Sequence, residues 1–159
     1  MIFAKPAMAA VALCATVCPI ASHADPVVGN CSPARVKYVA SDALAFKTIS
    51  SSYVDLAQAR VGFRQGGNTP SCVLVRFSAN ANGDQSNFAI RALLDGAEMA
   101  LPNEVVLTDG ADKGPAARRF TFVLPSVSPG SHTVAIQYRR LNGTDGRMNA
   151  HNTIVWFAR

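Results

Sequence analysis

From Val36 to the end of the chain, apolar residues recur at every second position, the spacing of half-buried β-strands. Val36 and Tyr38 alternate with Arg35 and Lys37, and Val61 and Phe63 with Arg60, Gly62 and Arg64. Val73, Val75 and Phe77 point one way while Leu74, Arg76 and Ser78 point the other. Phe88, Ile90, Ala92 and Leu94 form a further stripe with Arg91 opposite, followed by Phe120, Phe122 and Leu124, and then by Val134, Ile136 and Tyr138. The run from Thr153 to Ala158 is apolar on both faces, which predicts a central strand or one covered on both sides.

Turn chemistry separates these runs. Gly66-Gly67-Asn68-Thr69-Pro70, Asn82-Gly83-Asp84, Pro125, Pro129-Gly130 and Asn142-Gly143 each predict a break between strands. Asp95-Gly96 is the strongest hairpin signal, because both central residues of a type I′ turn need positive φ. No window of a dozen residues after residue 24 carries a 3.6-residue stripe, so helix is expected only as a short turn around Asp55 to Ala59. About eight to ten strands predict an all-β domain, a single antiparallel two-sheet β-sandwich of jelly-roll type. An immunoglobulin domain fits less well, because its Cys…Trp…Cys order is missing: Trp156 follows both late cysteines. The segment from Leu107 to Ala117 is the longest polar connector and the expected mobile surface loop.

The first 24 residues follow a different rule. A single Lys5, an apolar run from Ala7 to Ile20, and Ala21-Ser22-His23-Ala24 before Asp25-Pro26 make a secretory signal peptide cleaved near Ala24-Asp25. The run is shorter than the ~20 apolar residues a membrane span needs. The expected mature domain is residues 25–159, secreted to an extracellular or periplasmic compartment, with no transmembrane segment. Cys14 and Cys18 leave with the signal, and neither is preceded by the small residue that a lipoprotein box needs. Cys31 and Cys72 remain, and an even pair without C-x-x-C spacing in an oxidising compartment predicts one disulfide.

Charge narrows the partners. The chain carries a formal +5, about +4 once Lys5 is removed, with Arg supplying most of it. The basic residues are scattered rather than gathered on one segment with aromatics, which argues against nucleic acid.

Several strings carry a resemblance. Pro70-Ser71-Cys72-Val73-Leu74-Val75-Arg76-Phe77-Ser78-Ala79, Arg91-Ala92-Leu93-Leu94-Asp95-Gly96 and Pro129-Gly130-Ser131-His132-Thr133-Val134 resemble a group of uncharacterised secreted bacterial proteins. The closing pattern, Pro-Gly-x-His-Thr-Val through Gln137 to a final apolar strand, is similar to the ends of C1q/TNF-like and phage-tail jelly rolls. The resemblance covers about residues 46–158, lies mostly in strand and turn residues, and implies a sandwich, with a homotrimer as a subsidiary expectation, rather than an activity. Asn152-Thr153-Ile154-Val155 lacks the arginine such endings often carry.

Candidate chemistry is sparse. His132 shares parity with Val134, Ile136 and Tyr138 and is expected to be a packed structural group, whereas His151, in a polar segment, is expected to be exposed. The two with Asp145 do not make the three- or four-ligand motif zinc needs. No Gly-x-Ser-x-Gly elbow occurs. Glu98, Glu104 and Asp55 are the acids that a glycoside-cleaving groove would use. Asn80, Asn82 and Asp84, and Asp109 with Asp112, place oxygens where calcium could take them, but ordinary Asx turns use the same residues and no bidentate Glu completes either set, so no cofactor is expected. Asn142-Gly143-Thr144 and Asn30-Cys31-Ser32 match the glycosylation sequon, relevant only in a eukaryotic source. Arg60, Arg64, Arg76, Arg91 and Arg139 all fall opposite apolar stripes; if two or three come from neighbouring strands they would form a basic patch for a carboxylated or sulfated glycan, the alternative being an ordinary solvated face or partners for Asp55 and Glu98.

These readings point to a non-enzymatic exported binding module for a glycan, an envelope component or a protein partner. The alternatives are a small secreted hydrolase or carbohydrate-active enzyme, with its acids in a sheet-face groove, and a fibre or pilus subunit with a sheet one strand short.

Overall fold

A computed structural model describes residues 31, 33–42, 46–47, 50–82, 86–98, 102–109, 116–143 and 147–159. The expected signal peptide, Asp84, the turn at residues 83–85, Asp112 with most of its connector, and Asp145 lie outside the described residues. Eleven strands form among the described residues: β1 Arg35–Ser41, β2 Phe46–Lys47, β3 Val54–Asp55, β4 Val61–Gln65, β5 Ser71–Asn82, β6 Asn87–Leu94, β7 Ala97–Glu98, β8 Val105–Asp109, β9 Ala116–Val127, β10 Gly130–Asn142 and β11 Arg147–Phe157. Every pairing is antiparallel, and no helix occurs among the described residues.

Sheet A runs β1-β11-β5-β9, with β2 also on β11, and sheet B runs β3-β10-β6-β7, with β4 also on β10 and β8 also on β6. β1 and β2 follow one another along β11, as β3 and β4 do along β10 and β7 and β8 along β6. Each of these pairs is therefore one interrupted strand. Counted that way, eight strands lie in the orders 1-8-3-6 and 2-7-4-5. That is the double Greek key of a jelly roll.

Alternation explains the core. Val73, Val75 and Phe77 of β5, Phe122 of β9 and Val155 of β11 turn inward from sheet A, each 0% exposed. Ile90 of β6 and Val134 and Ile136 of β10 meet them from sheet B, also 0% exposed. Phe63 and Phe157 close one end, their ring centroids 5.0 Å apart. Asp95 and Gly96 take φ of 50° and 84°, the left-handed pair the hairpin between β6 and β7 requires. The turn after Asp55 is present, with the Ala59 N–H donating to the Leu56 carbonyl at 3.3 Å. Gly66 is fixed by proximity: a Cβ there would lie 2.1 Å from the Arg159 backbone.

Three expectations need correction. Pro125 does not end a strand but lies within β9. β9 is the edge of sheet A, where a missing N–H costs no ladder bond, and the register slips between Val73↔Leu124 and Ser71↔Val127 to absorb the extra residue. His151 is not exposed but buried, at 4% exposure, because β11 begins at Arg147 rather than at Thr153 and carries His151 onto the inward face. Its ring lies 6.2 Å from that of Phe77, and neither ring nitrogen has a partner among the described residues. The third correction concerns β1. Arg35↔Phe157 and Lys37↔Val155 give Arg35 and Lys37 the inward parity, so Val36 and Tyr38 face out.

Candidate functional site

The reversed face of β1 creates the candidate site. Val36 is registered with Trp156, Trp156 with Leu74 and Leu74 with Val123, so one row crosses all four strands of sheet A on its outer side. The next row is Tyr38, Ile154, Arg76 and Thr121, and the next Ala40, Asn152, Ser78 and Arg119. Tyr38 is 74% exposed and Val36 53%, while Trp156, Ile154 and Leu74 are half-buried. The Arg76 guanidinium carbon lies 4.8 Å from the Trp156 ring centroid, a stacked cation–π contact. Arg76 Nε and Asn152 Oδ1 are buried with no hydrogen-bond partner among the described residues. Unpaired buried polar atoms are rare in native folds and call for a reason.

Two depressions lie on this face. One, of ≈ 270 Å³, is lined by Pro33, Leu74, Arg76, Thr121 and Trp156. The other, of ≈ 460 Å³, has Ala40, Ser78, Ala117, Ala150 and Asn152 as its outward-facing floor, with Arg119 and the exposed Asp42, which follows β1, beside them. Small residues across four neighbouring strands leave this hollow, because nothing large projects from it.

Sheet B has a different outer face. Arg91 donates from Nε and Nη2 to Gln137 Oε1 at 3.0 and 2.8 Å, Gln137 donates to Asp55 at 2.8 Å, and Asp55 pairs with Arg60 at 2.7 Å. Tyr53 lies under the Arg91 guanidinium at 3.8 Å and near that of Arg139 at 5.0 Å, and its hydroxyl donates to Glu104. Arg139 in turn grips Glu104 at 2.7 Å. Burial, followed by the Glu104 carboxylate, pushes the Tyr53 hydroxyl up to about 12. The Gln137 amide, then Arg60, hold the Asp55 carboxyl below its usual range against the opposing effect of burial.

The five arginines therefore do not form one patch. Arg60, Arg64, Arg91 and Arg139 sit on the outer side of sheet B, where Arg60, Arg91 and Arg139 are engaged by acids, an amide and Tyr53. Arg76 lies on the opposite layer. Of the calcium candidates, Asn80 and Asn82 lie in β5 and Asp109 in β8, on different sheets. Among the described residues no group of three His, Cys, Asp or Glu could hold a metal. Glu104 is engaged by Tyr53 and Arg139, and the Glu98 side chain lies outside the description. Tyr38, Trp156, Asn152 and Arg119 were not legible as a site. The available signal was the doubly apolar last strand, which needed a neighbour with an apolar outer face.

His132 has the structural role expected of it. Its Nδ1 lies 2.6 Å from Asp95 Oδ2 and its Nε2 2.8 Å from the Ser128 carbonyl, so both nitrogens face acceptors. Its ring centroid is 5.6 Å from that of Phe63. Asp95 also accepts the Thr133 N–H at 2.8 Å, which ties the β6–β7 hairpin to the start of β10. The Asp95 hydrogen bond raises the His132 pKa against the opposing effect of burial. Burial tends to raise the Asp95 carboxyl, but the His132 and Thr133 hydrogen bonds outweigh it and hold the carboxyl low. A raised imidazolium stabilises the fold fully below the ordinary histidine pKa of about 6.5 and loses that contribution as pH rises through the folded value. Urea midpoints should fall between pH 5.5 and 8.5 by the equivalent of about 1 kcal/mol, a small figure because half-exposed Asp95 is screened. His132→Gln should remove that difference, and a wild-type midpoint unchanged across the range contradicts the assignment.

No family model and no curated protein sequence matches the chain. Among solved structures it is similar to a family 35 carbohydrate binding module from Clostridium thermocellum, at 12% identity and a TM-score of 0.38, covering 77% of this chain and 92% of that one. It is also similar to latent PorU from Porphyromonas gingivalis, at 11% identity and a TM-score of 0.39, covering 82% of this chain. A third likeness is to the GH115 4-O-methyl-α-glucuronidase BtGH115A, at 14% identity and a TM-score of 0.40, covering 86% of this chain. The chain spans 14% of the PorU chain and 19% of the glucuronidase chain.

Proposed function

We propose that the mature protein works outside the cytosol as a non-enzymatic binding module that lays a glycan across the outer face of sheet A. The observation that carries this reading is the row pair Val36-Trp156-Leu74 and Tyr38-Ile154-Arg76, an apolar and aromatic surface left facing solvent. Monomeric proteins rarely expose such contiguous patches without a use for them. Aromatic rings with one apolar side and one polar handle suit a ligand that is itself part apolar face and part hydroxyl rim. The Cys31–Cys72 bond supports export, since such bonds persist in oxidising compartments. Among the described residues no helix is long and apolar enough to cross a membrane.

The competing readings have less support. A hydrolase needs a carboxyl free to reach substrate, whereas Asp55 is paired with Arg60 and Glu104 is held by Tyr53 and Arg139. Strand exchange needs a sheet one strand short, whereas both layers here have the full jelly-roll complement. The test is a polysaccharide panel by affinity electrophoresis, with a turnover assay alongside. Wild type should be retarded by at least one polysaccharide without cleaving it. Tyr38→Ala, whose side chain is too exposed to matter for folding, should weaken that retardation about tenfold, the loss of one good stacking contact. Full retention of binding in Tyr38→Ala would overturn the site.

A further inference from the structure

We infer that the glycan is a carboxylated polysaccharide, read through Arg76 and Arg119; this rests on the binding surface proposed above. Arg76 is registered with Thr121 and Ser78 with Arg119, so the two arginines are diagonal neighbours on adjacent strands of one face. Such neighbours have Cα atoms only about 7–8 Å apart. No acid shares the three outward rows across β1, β11, β5 and β9; the one carboxylate lining the small-residue hollow with Arg119 is Asp42, which follows β1 at the opposite edge of the sheet from β9. Two like charges side by side repel, and an anion between them removes that cost.

Sheet B supplies the contrast. There Arg60 and Arg139 each meet a carboxylate and Arg91 meets an amide, within the chain's own surface. On sheet A, Arg76 lies over the flat of Trp156, and its Nε is left without a partner among the described residues. A guanidinium stacked on an indole still presents its edge, the side that binds a planar carboxylate through two parallel hydrogen bonds. The two depressions flank this pair. Rows two residues apart along a strand are about 6.6–6.8 Å apart, so successive units of an extended chain can reach the aromatic hollow, the arginines and the small-residue hollow in turn. Tyr38 lies in the Arg76 row, two strands away, where a ring of the same chain can stack.

The experiment compares polygalacturonate with its fully methyl-esterified form, which keeps the backbone and removes the charge, and with heparin as a sulfated polyanion. Calorimetry on the mature, disulfide-bonded protein should give binding to polygalacturonate at least tenfold tighter than to the ester. Arg76→Gln and, separately, the exposed Arg119→Gln should each weaken binding of the acid by a larger factor than binding of the ester, so that the acid-to-ester ratio falls toward one. Equal affinity for acid and ester, or arginine variants that bind the acid as wild type does, overturns the carboxylate assignment. The glycan surface survives that result if Tyr38→Ala still weakens binding about tenfold. Tighter binding of heparin than of polygalacturonate overturns the assignment in favour of sulfate. No binding of any of the three, together with a blank polysaccharide panel, removes both the assignment and the surface.

Discussion

Phe77→Ala is expected to cost about 3–5 kcal/mol, the range for truncating a fully buried phenylalanine. Phe77 is 0% exposed at the middle of β5, registered with Thr153 of β11 on one side and Phe120 of β9 on the other. Its ring is the largest fully buried side chain of β5, with neighbours on both adjacent strands. Truncation leaves a void that the flanking strands cannot close without breaking their ladders. A domain of this size is stable by only about 5–15 kcal/mol, so the loss is a substantial share of that margin. Guanidinium denaturation measures the loss. Phe77→Leu, which keeps most of the volume, should cost less than about 1.5 kcal/mol. A Phe77→Ala loss under about 1 kcal/mol means that β5 does not face the core as described.

Loss of the Cys31–Cys72 bond should cost a similar amount, about 4 kcal/mol in the chain-entropy account for a closed loop of this length. The cysteines are 41 residues apart in sequence. Cys72 is buried at the start of β5, and Cys31 stands just before β1. β1 is an edge strand whose one full-length neighbour is β11, so the bond reaches past β11 and anchors the entry of β1 two strands away. Removing it by Cys31→Ala with Cys72→Ala should lower the denaturation midpoint and speed hydrogen exchange in β1 before β5. Binding should weaken with it, because Val36 and Tyr38 ride on that strand. An unchanged midpoint, or β1 amides protected as in the native protein, contradicts this account.

Legibility followed the range of the interactions involved. Period-two alternation reports strands because side-chain direction is a local property of the backbone. Asp95-Gly96 announced its hairpin because positive φ is a demand on two residues alone, and both adopt it. His132 was readable as structural because its parity with Val134 and Ile136 already put it beside the core. The arginines illustrate the limit. Each was correctly placed opposite an apolar stripe, but their strands are distributed over two layers, and distance in sequence says nothing about which layer a strand joins.

What the chain determined by itself is its class: an all-β body, a hairpin at Asp95-Gly96 and a pair of late cysteines available to each other. The tertiary structure alone decided which side of β1 faces water. Alternation defines two faces and is blind to which of them is the inside, and only the registry of Arg35 with Phe157 turns Tyr38 outward beside Ile154. The pairing of β11 with β5 sets Arg76 opposite Ile154 and so diagonal to Trp156, within reach of its ring, and puts His151 on the buried face, so the candidate site is a product of strand pairing between segments that lie far apart along the chain.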